Sequence, residues 1–260
     1  MIVFSHANSY NASTYRQLFD GWRAAGHEVA AVEHFGHDVQ FPVDRRWRGM
    51  TQQLTALIDS LPQPRVWLVG HSMGGYLSLL AAGQRPERVR GIVLLDSPIV
   101  YGWKSGLISV VKAVGQMDRV SPAAVAVKRR DRWPNLGEAH RHFSAKPMFA
   151  RWHPAILDDY VRFGTEQDPT DSAGTGRRLS FRPAIEAKIY STVPHRLVPY
   201  LRLHPPGGPV AFVAGTRSRE VRQVGLAATH RITQGRISWL EGWLLFPFEK
   251  PMETVREVLD

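Results

Sequence analysis

Short apolar runs alternate with segments of helical period along the first third of the chain. That rhythm predicts a parallel sheet with crossover helices. Residues 2–4 read as a strand ending at His6, 14–25 as a helix closed by Gly26, and 29–32 as the next strand. Residues 47–61 are amphipathic, with Leu54, Leu57, Ile58 and Leu61 on one face. Residues 65–69 form a strand running into Gly70, 73–83 a helix, and 92–95 a strand.

The rhythm breaks near Pro98. From there to His204 the pattern offers helical and irregular stretches without a buried strand, and proline recurs at 122, 134, 147, 154, 169, 183, 194 and 199. Residues 168–176 are polar and glycine-rich and read as a mobile loop. After Pro205-Pro206-Gly207-Gly208 the α/β alternation returns. It predicts a strand over 210–213, a helix over 220–230, a strand over 237–240 and a closing helix over 251–259. No internal repeat is present. The expected organisation is one α/β core, residues 1–97 and 206–260, interrupted by a helical cap, residues 98–205. An insertion there would cover a site at the strand carboxyl ends.

One segment carries chemistry. Val66-Trp67-Leu68-Val69-Gly70-His71-Ser72-Met73-Gly74-Gly75 passes from an apolar strand through a G-x-S-x-G turn into a helix. Such a turn is sharp and strained, and glycine flanks the serine because a side chain there would strike neighbouring backbone. Ser72 is thereby lifted above the sheet edge over a helix N-terminus, a place suited to developing negative charge.

Composition narrows the remaining classes. With 43% hydrophobic and 22% charged residues among 260, the chain is an ordinary globular one. It has no cysteine, which excludes disulfides, thiolate metal sites and cysteine nucleophiles. The formal charge of +10 is spread over small groups, the densest being Lys128-Arg129-Arg130-Asp131-Arg132. None interleaves with aromatic residues as a nucleic-acid module would, so the groups read as solvated surface and no nucleic-acid partner is expected. No dinucleotide turn, P-loop or metal-spaced cluster is present, so no cofactor and no metal are expected. The start Met1-Ile2-Val3-Phe4-Ser5-His6 lacks a signal peptide's basic and apolar regions. No apolar run nears the roughly 20 residues of a membrane span, so the expectation is a cytoplasmic protein with no membrane partner.

The motif and its surroundings resemble the α/β-hydrolase superfamily over nearly the whole chain. Ser5-His6-Ala7-Asn8 resembles the family's His-Gly-x oxyanion segment, with Ala7 where glycine is usual. Glu33-His34-Phe35-Gly36-His37-Asp38 resembles the loop after the second strand, and Gly70–Gly75 the nucleophile elbow. The resemblance implies a serine hydrolase acting on a carboxylic ester or similar acyl bond. Ser72 would be nucleophile, with the backbone N–H groups of Asn8 and Met73 as oxyanion hole. The Asn8 side chain also reads as a turn former.

The resemblance further implies an acid and a histidine base. Ser218 stands where the acid after the post-cap strand is expected. Asp96, at the end of the strand before the cap, fits the alternative placement; it also reads as a carboxylate capping the turn before Pro98. Glu220 is the rival acid, or a first-turn helix residue favoured by the dipole. Leu244 stands at the family's histidine position, and leucine accepts no proton. His230 lies before the last strand. His140, His142, His153 and His195 fall in the expected cap, and His6, His71, His34 and His37 read as loop-shaping residues. Trp243-Leu244-Leu245-Phe246 would form an apolar wall beside Ser72. Three readings follow: a hydrolase of unresolved base, a catalytically silent relative binding an apolar small molecule or partner, and a polyanion binder.

Overall fold

Along each buried strand, successive side chains go to opposite faces, and that alternation decides the architecture. The computed structural model describes residues 1–100 and 129–260. Its strands are β1 (Ile2–Ser5), β2 (Val29–Ala31), β3 (Val66–His71), β4 (Val89–Leu95), β5 (Arg132–Trp133), β6 (Thr165–Gln167), β7 (Arg177–Leu179), β8 (Val210–Gly215) and β9 (Ile237–Leu240). A parallel sheet runs β2-β1-β3-β4-β8-β9. Ile2, Phe4, Val69, Leu95 and Val213 face one apolar cluster, and Val3, Leu68, Leu94 and Phe212 the other.

Helices cover both faces. On the first, α1 (Arg16–Ala24) buries Leu18, Phe19 and Trp22. On the second, α2 (Arg48–Ser60) buries Leu54 and Ile58, beside α3 (Met73–Gln84). Every residue of α3 from Met73 to Gly83 is buried, as an apolar helix between two layers must be. Then follow α4 (Leu136–Ser144), α5 (Pro154–Phe163), α6 (Pro183–Ser191), α7 (Leu197–Leu203), α8 (Arg219–Val224), α9 (Ala227–Thr233), α10 (Phe246–Glu249) and α11 (Pro251–Leu259). The register pairs Ser5 with Gly70, His71 with Leu95, Leu95 with Val213, and Gly215 with Leu240. The carboxyl ends of β1, β3, β4, β8 and β9 therefore lie along one edge, and the residues just beyond them meet. No described helix is long and apolar enough to cross a membrane.

Several expectations need correction. The helix expected over 14–25 opens with a 3-10 turn, Ala12–Tyr15, before α1. The one expected from 47 starts at Arg48, because Trp47 takes a left-handed φ of 57°. The helix expected over 220–230 breaks into α8 and α9 at Gly225, whose φ is 81°. Between Pro98 and His204 the chain does form strands: β5, β7 and β6 make an antiparallel sheet. At two or three residues each, they are too short to show a period. Residues 168–176 close the β6–β7 hairpin, with Asp171 accepting from the N–H groups of Thr175 and Gly176. The positions 101–128, including Pro122 and Lys128, lie outside the described residues.

Candidate active site

The site is built on the turn between β3 and α3. Ser72 has φ 52° and ψ −112°, a conformation that costs a non-glycine residue roughly 1–3 kcal/mol. Surrounding bonds hold it there. The Ser72 N–H donates to the Leu95 carbonyl at 2.9 Å, and the Ser72 carbonyl accepts from Gly75 N–H at 3.1 Å and Ser97 Oγ at 2.8 Å. A Cβ on Gly74 would stand 1.9 Å from the Ser5 carbonyl oxygen, and one on Gly70 2.3 Å from that of Gly74. The glycines thus let α3 close against β1. The Ser72 hydroxyl makes no capping bond to its own helix.

Asn8, Ser72, Met73, Asp96 and Glu220 share one pocket of about 170 Å³, with Trp47, Tyr76, Ile189, Tyr190 and Val193 among its walls. The four residues that the sequence singles out as nucleophile, acid and oxyanion donors are therefore together. A larger groove of about 490 Å³ opens at the amino ends of β8 and β9 and contains none of them. The Asn8 segment is fixed from both sides. Tyr15 Oη accepts from the Ala7 N–H at 3.1 Å, and Asn8 Oδ1 accepts from the Ser9 N–H at 3.1 Å, the turn-forming role foreseen for that side chain. From α6, the Glu186 carbonyl accepts from Asn8 Nδ2 at 3.2 Å, and the Glu186 carboxylate accepts from Ser9 Oγ. Ser9 has φ 79°. Arg129 pairs with Glu186 at 2.9 Å, so this member of the basic run is not solvated surface but ties down a buried carboxylate. Burial raises the Glu186 carboxyl, with Arg129 and Ser9 opposing. Sequence inspection missed Glu186 and Tyr190, although their i, i+4 spacing puts them on one face of α6.

Asp96 follows β4 with φ 43° and is 1% exposed. Its Oδ2 accepts from the Gly215 N–H at 2.8 Å and its Oδ1 from the Ser218 hydroxyl at 2.7 Å. It therefore serves the neighbouring strand rather than the turn before Pro98. Burial pushes its carboxyl from 3.8 up to about 7; the Ser218 and Gly215 bonds pull it down and Glu220 raises it. Ser218 also caps α8 by accepting from the Val221 N–H at 3.2 Å, and lies 3.3 Å from Glu220 Oε2. Both candidate acids thus flank one hydroxyl.

All eleven histidines fall among the described residues, and none lines the Ser72 pocket. His6 donates from Nδ1 to the Ala7 carbonyl at 2.8 Å and accepts at Nε2 from the Phe35 N–H at 3.0 Å; burial lowers it to about 3. His71 accepts from Tyr15 Oη at 2.7 Å and donates from Nε2 to the Leu244 carbonyl at 2.9 Å; burial lowers it to about 4. Both rings are neutral and fully engaged. His37 bonds the backbone of Phe35 and Arg182, and His34 the hydroxyl of Ser180. His140 pairs with Asp158, His142 packs on Trp133 and Phe143, His195 lines a separate groove, and His153 and His230 are exposed.

Leu244 is nonetheless beside the elbow, since its carbonyl is held by the residue preceding Ser72. A Cβ on Gly215 would stand 2.6 Å from the Trp243 carbonyl oxygen and 3.1 Å from Asp96 Oδ2, which puts this turn against the acid. The expected apolar wall is not formed by this run. Phe246 is fully buried, Leu244 and Leu245 belong to the cluster on the α1 face, and the guanidinium groups of Arg151 and Arg219 lie 5.2 and 5.6 Å from the Trp243 ring centre. The turn curls into the core because His71 and the close approach to Gly215 hold its carbonyls.

A parallel sheet with a strained serine at a strand-to-helix turn, its strand ends converging on one pocket, defines a class. The chain belongs to the Alpha/beta hydrolase family, whose model matches residues 2–257. Among curated proteins it is 31% identical to monoglyceride lipase of Rattus norvegicus over 133 residues, 47% of this chain and 43% of that protein. It is 33% identical to sn-1-specific diacylglycerol lipase ABHD11 of Mus musculus over 137 residues, 50% of this chain and 44% of that protein. The matches thus span less than half the length of these relatives. Among solved structures it is similar to E-2-(acetamidomethylene)succinate hydrolase, with TM-score 0.74 and 20% identity, covering 99% of this chain and 89% of that one. It is also similar to the thioesterase domain from the curacin biosynthetic pathway, with TM-score 0.73 and 17% identity, covering 100% and 90%. At such identities the structural likeness speaks to the fold.

Proposed function

We propose that the chain cleaves a carboxylic ester or similar acyl bond at Ser72, slowly, because no histidine stands beside the nucleophile. The observation that carries this reading is Ser72 itself: a left-handed serine whose hydroxyl does not cap its helix, opening into a pocket with a buried carboxyl group. Strain of that kind persists where function uses it. Ser72 Oγ bonds to the acyl carbon while the Asn8 and Met73 N–H groups receive the developing oxyanion. The acyl–oxygen bond of the leaving alcohol then breaks. The hydroxyl proton passes to solvent and the leaving alkoxide recovers one from it; water then releases the acyl group. Asp96 is the acid, held by Ser218 and Gly215, with Glu220 beside it. The described residues between 98 and 205 act as a cap, which Ile189, Tyr190 and Val193 on the pocket wall support. The lipase relatives make an ester the natural substrate class.

Loss of the histidine in a serine protease costs on the order of 10⁶ in turnover, while the oxyanion hole and binding keep roughly 10³–10⁴ over water. Feeble turnover of activated esters is therefore the expectation. Leu244 favours a second reading, in which the pocket holds an acyl compound without turning it over. The test is turnover of a short-chain p-nitrophenyl ester by the wild type beside Ser72→Ala. The first reading expects a wild type faster than the variant and an acyl group carried on Ser72 that the variant lacks. Equal slow rates would leave the binding reading.

A further inference from the structure

Three aromatic rings, Trp47, Tyr76 and Tyr190, and two carboxylates, Asp96 and Glu220, line the Ser72 pocket. The polar ends of all three rings are already committed to protein. Trp47 Nε1 donates to Thr192 Oγ1 at 3.1 Å, and Tyr76 Oη donates to the Pro98 carbonyl at 3.1 Å. The Tyr190 hydroxyl is engaged by Ser9 and Asn8. What the rings offer a ligand is therefore carbon surface and negative π faces. Trp47 and Tyr76 stand edge to face with centroids 6.2 Å apart.

No Lys, Arg or His lines the pocket among the described residues, in a chain whose formal charge is +10. The nearby Arg129 is consumed by Glu186. Ser218 gives its one hydroxyl proton to Asp96 at 2.7 Å, and Glu220 Oε2, 3.3 Å from the same oxygen, goes without it. A neutral apolar ligand would desolvate the Glu220 carboxylate without compensation, whereas Asp96, 1% exposed and bonded at both oxygens, is already out of water. A bound cation would instead pair with Glu220 while its alkyl groups meet the rings.

We propose that the Ser72 pocket selects an acyl compound bearing a positively charged amine or quaternary ammonium group, recognised by Glu220 and the three rings. This rests on the ester reading for the scissile bond and goes beyond it in naming what the rest of the substrate carries.

Two p-nitrophenyl esters of equal shape test it: that of 4-(trimethylammonio)butyrate and that of the uncharged 5,5-dimethylhexanoate. Wild-type kcat/KM is measured for each, and Kd for each is measured calorimetrically on Ser72→Ala. The cationic ester is expected to be favoured by at least about tenfold in both quantities, with the ratio narrowing in Glu220→Gln. Equal treatment of the two esters, or preference for the neutral one, overturns the proposal. The outcomes separate from those of the parent reading. Tighter binding of the cationic ester without Ser72-dependent turnover sinks the hydrolase and keeps the selectivity. Ser72-dependent turnover favouring the neutral ester does the reverse.

Discussion

The two halves of the carboxyl edge differ. On the β1–β3 side, the serine elbow is complete: Gly70 and Gly74 allow close approach, Ser72 keeps its strained φ, and Asn8 and Met73 sit beside it. On the β4–β8–β9 side, a buried acid stands at φ 43°, a serine rather than a carboxylate follows β8, and leucine occupies position 244. The first half is over-determined, because backbone contacts fix it from several directions. The second depends on side-chain identity at single positions, and one substitution leaves the backbone intact while changing the chemistry. On the proposed reading, the nucleophile geometry rests on many backbone contacts while the proton relay rests on the side chain at a single position.

The largest effect that sharpens this contrast is at Asp96. Its folded carboxyl, near 7, lies above its ordinary 3.8, so between those values the folded state holds a proton that the unfolded state releases. The stability of the protonated form is fully present below 3.8 and is lost as pH rises through 7. At about 1.4 kcal/mol per unit, ionising Asp96 costs the fold on the order of 4 kcal/mol. Asp96→Asn should raise the unfolding temperature at pH 8, with little change near pH 4. The left-handed φ also suits asparagine. Parallel melting curves for wild type and variant across that range would show instead that Asp96 carries no such burden.

A smaller effect is expected on the elbow side. Glu186 holds Ser9 at its left-handed φ and Asn8 through its own carbonyl, and so sets where the Asn8 N–H points. If Asn8 is the oxyanion donor proposed above, Glu186→Gln should lower kcat for a p-nitrophenyl ester by about tenfold with KM little changed, since such a donor acts most in the transition state. A rise in KM alone would place Glu186 in ground-state binding.

Much of this was legible in the chain. The parallel strands announce themselves as apolar runs because both faces are buried, and the spacing around Ser72 marks the elbow. Asp96 was readable from its place at the end of β4, as was the leucine at 244. The short strands β5, β6 and β7 left no period to read. The clamp on Ser9 joins positions 177 residues apart, which no local pattern expresses. Ser218 was noticed as a missing acid, yet its role as donor to Asp96 and cap of α8 needed the two strand ends to be seen together.

The most direct test of the contrast between the halves is Leu244→His, made with Ser72 and again with Ser72→Ala, reading ester turnover in each. Residue 244 is held against the elbow by His71, and its turn abuts Asp96, so an imidazole there should complete the relay once the side chain swings out of the core. The account predicts a gain of at least about tenfold with Ser72 and none with Ser72→Ala. A correctly folded Leu244→His without gain, or a gain that survives loss of Ser72, would contradict it.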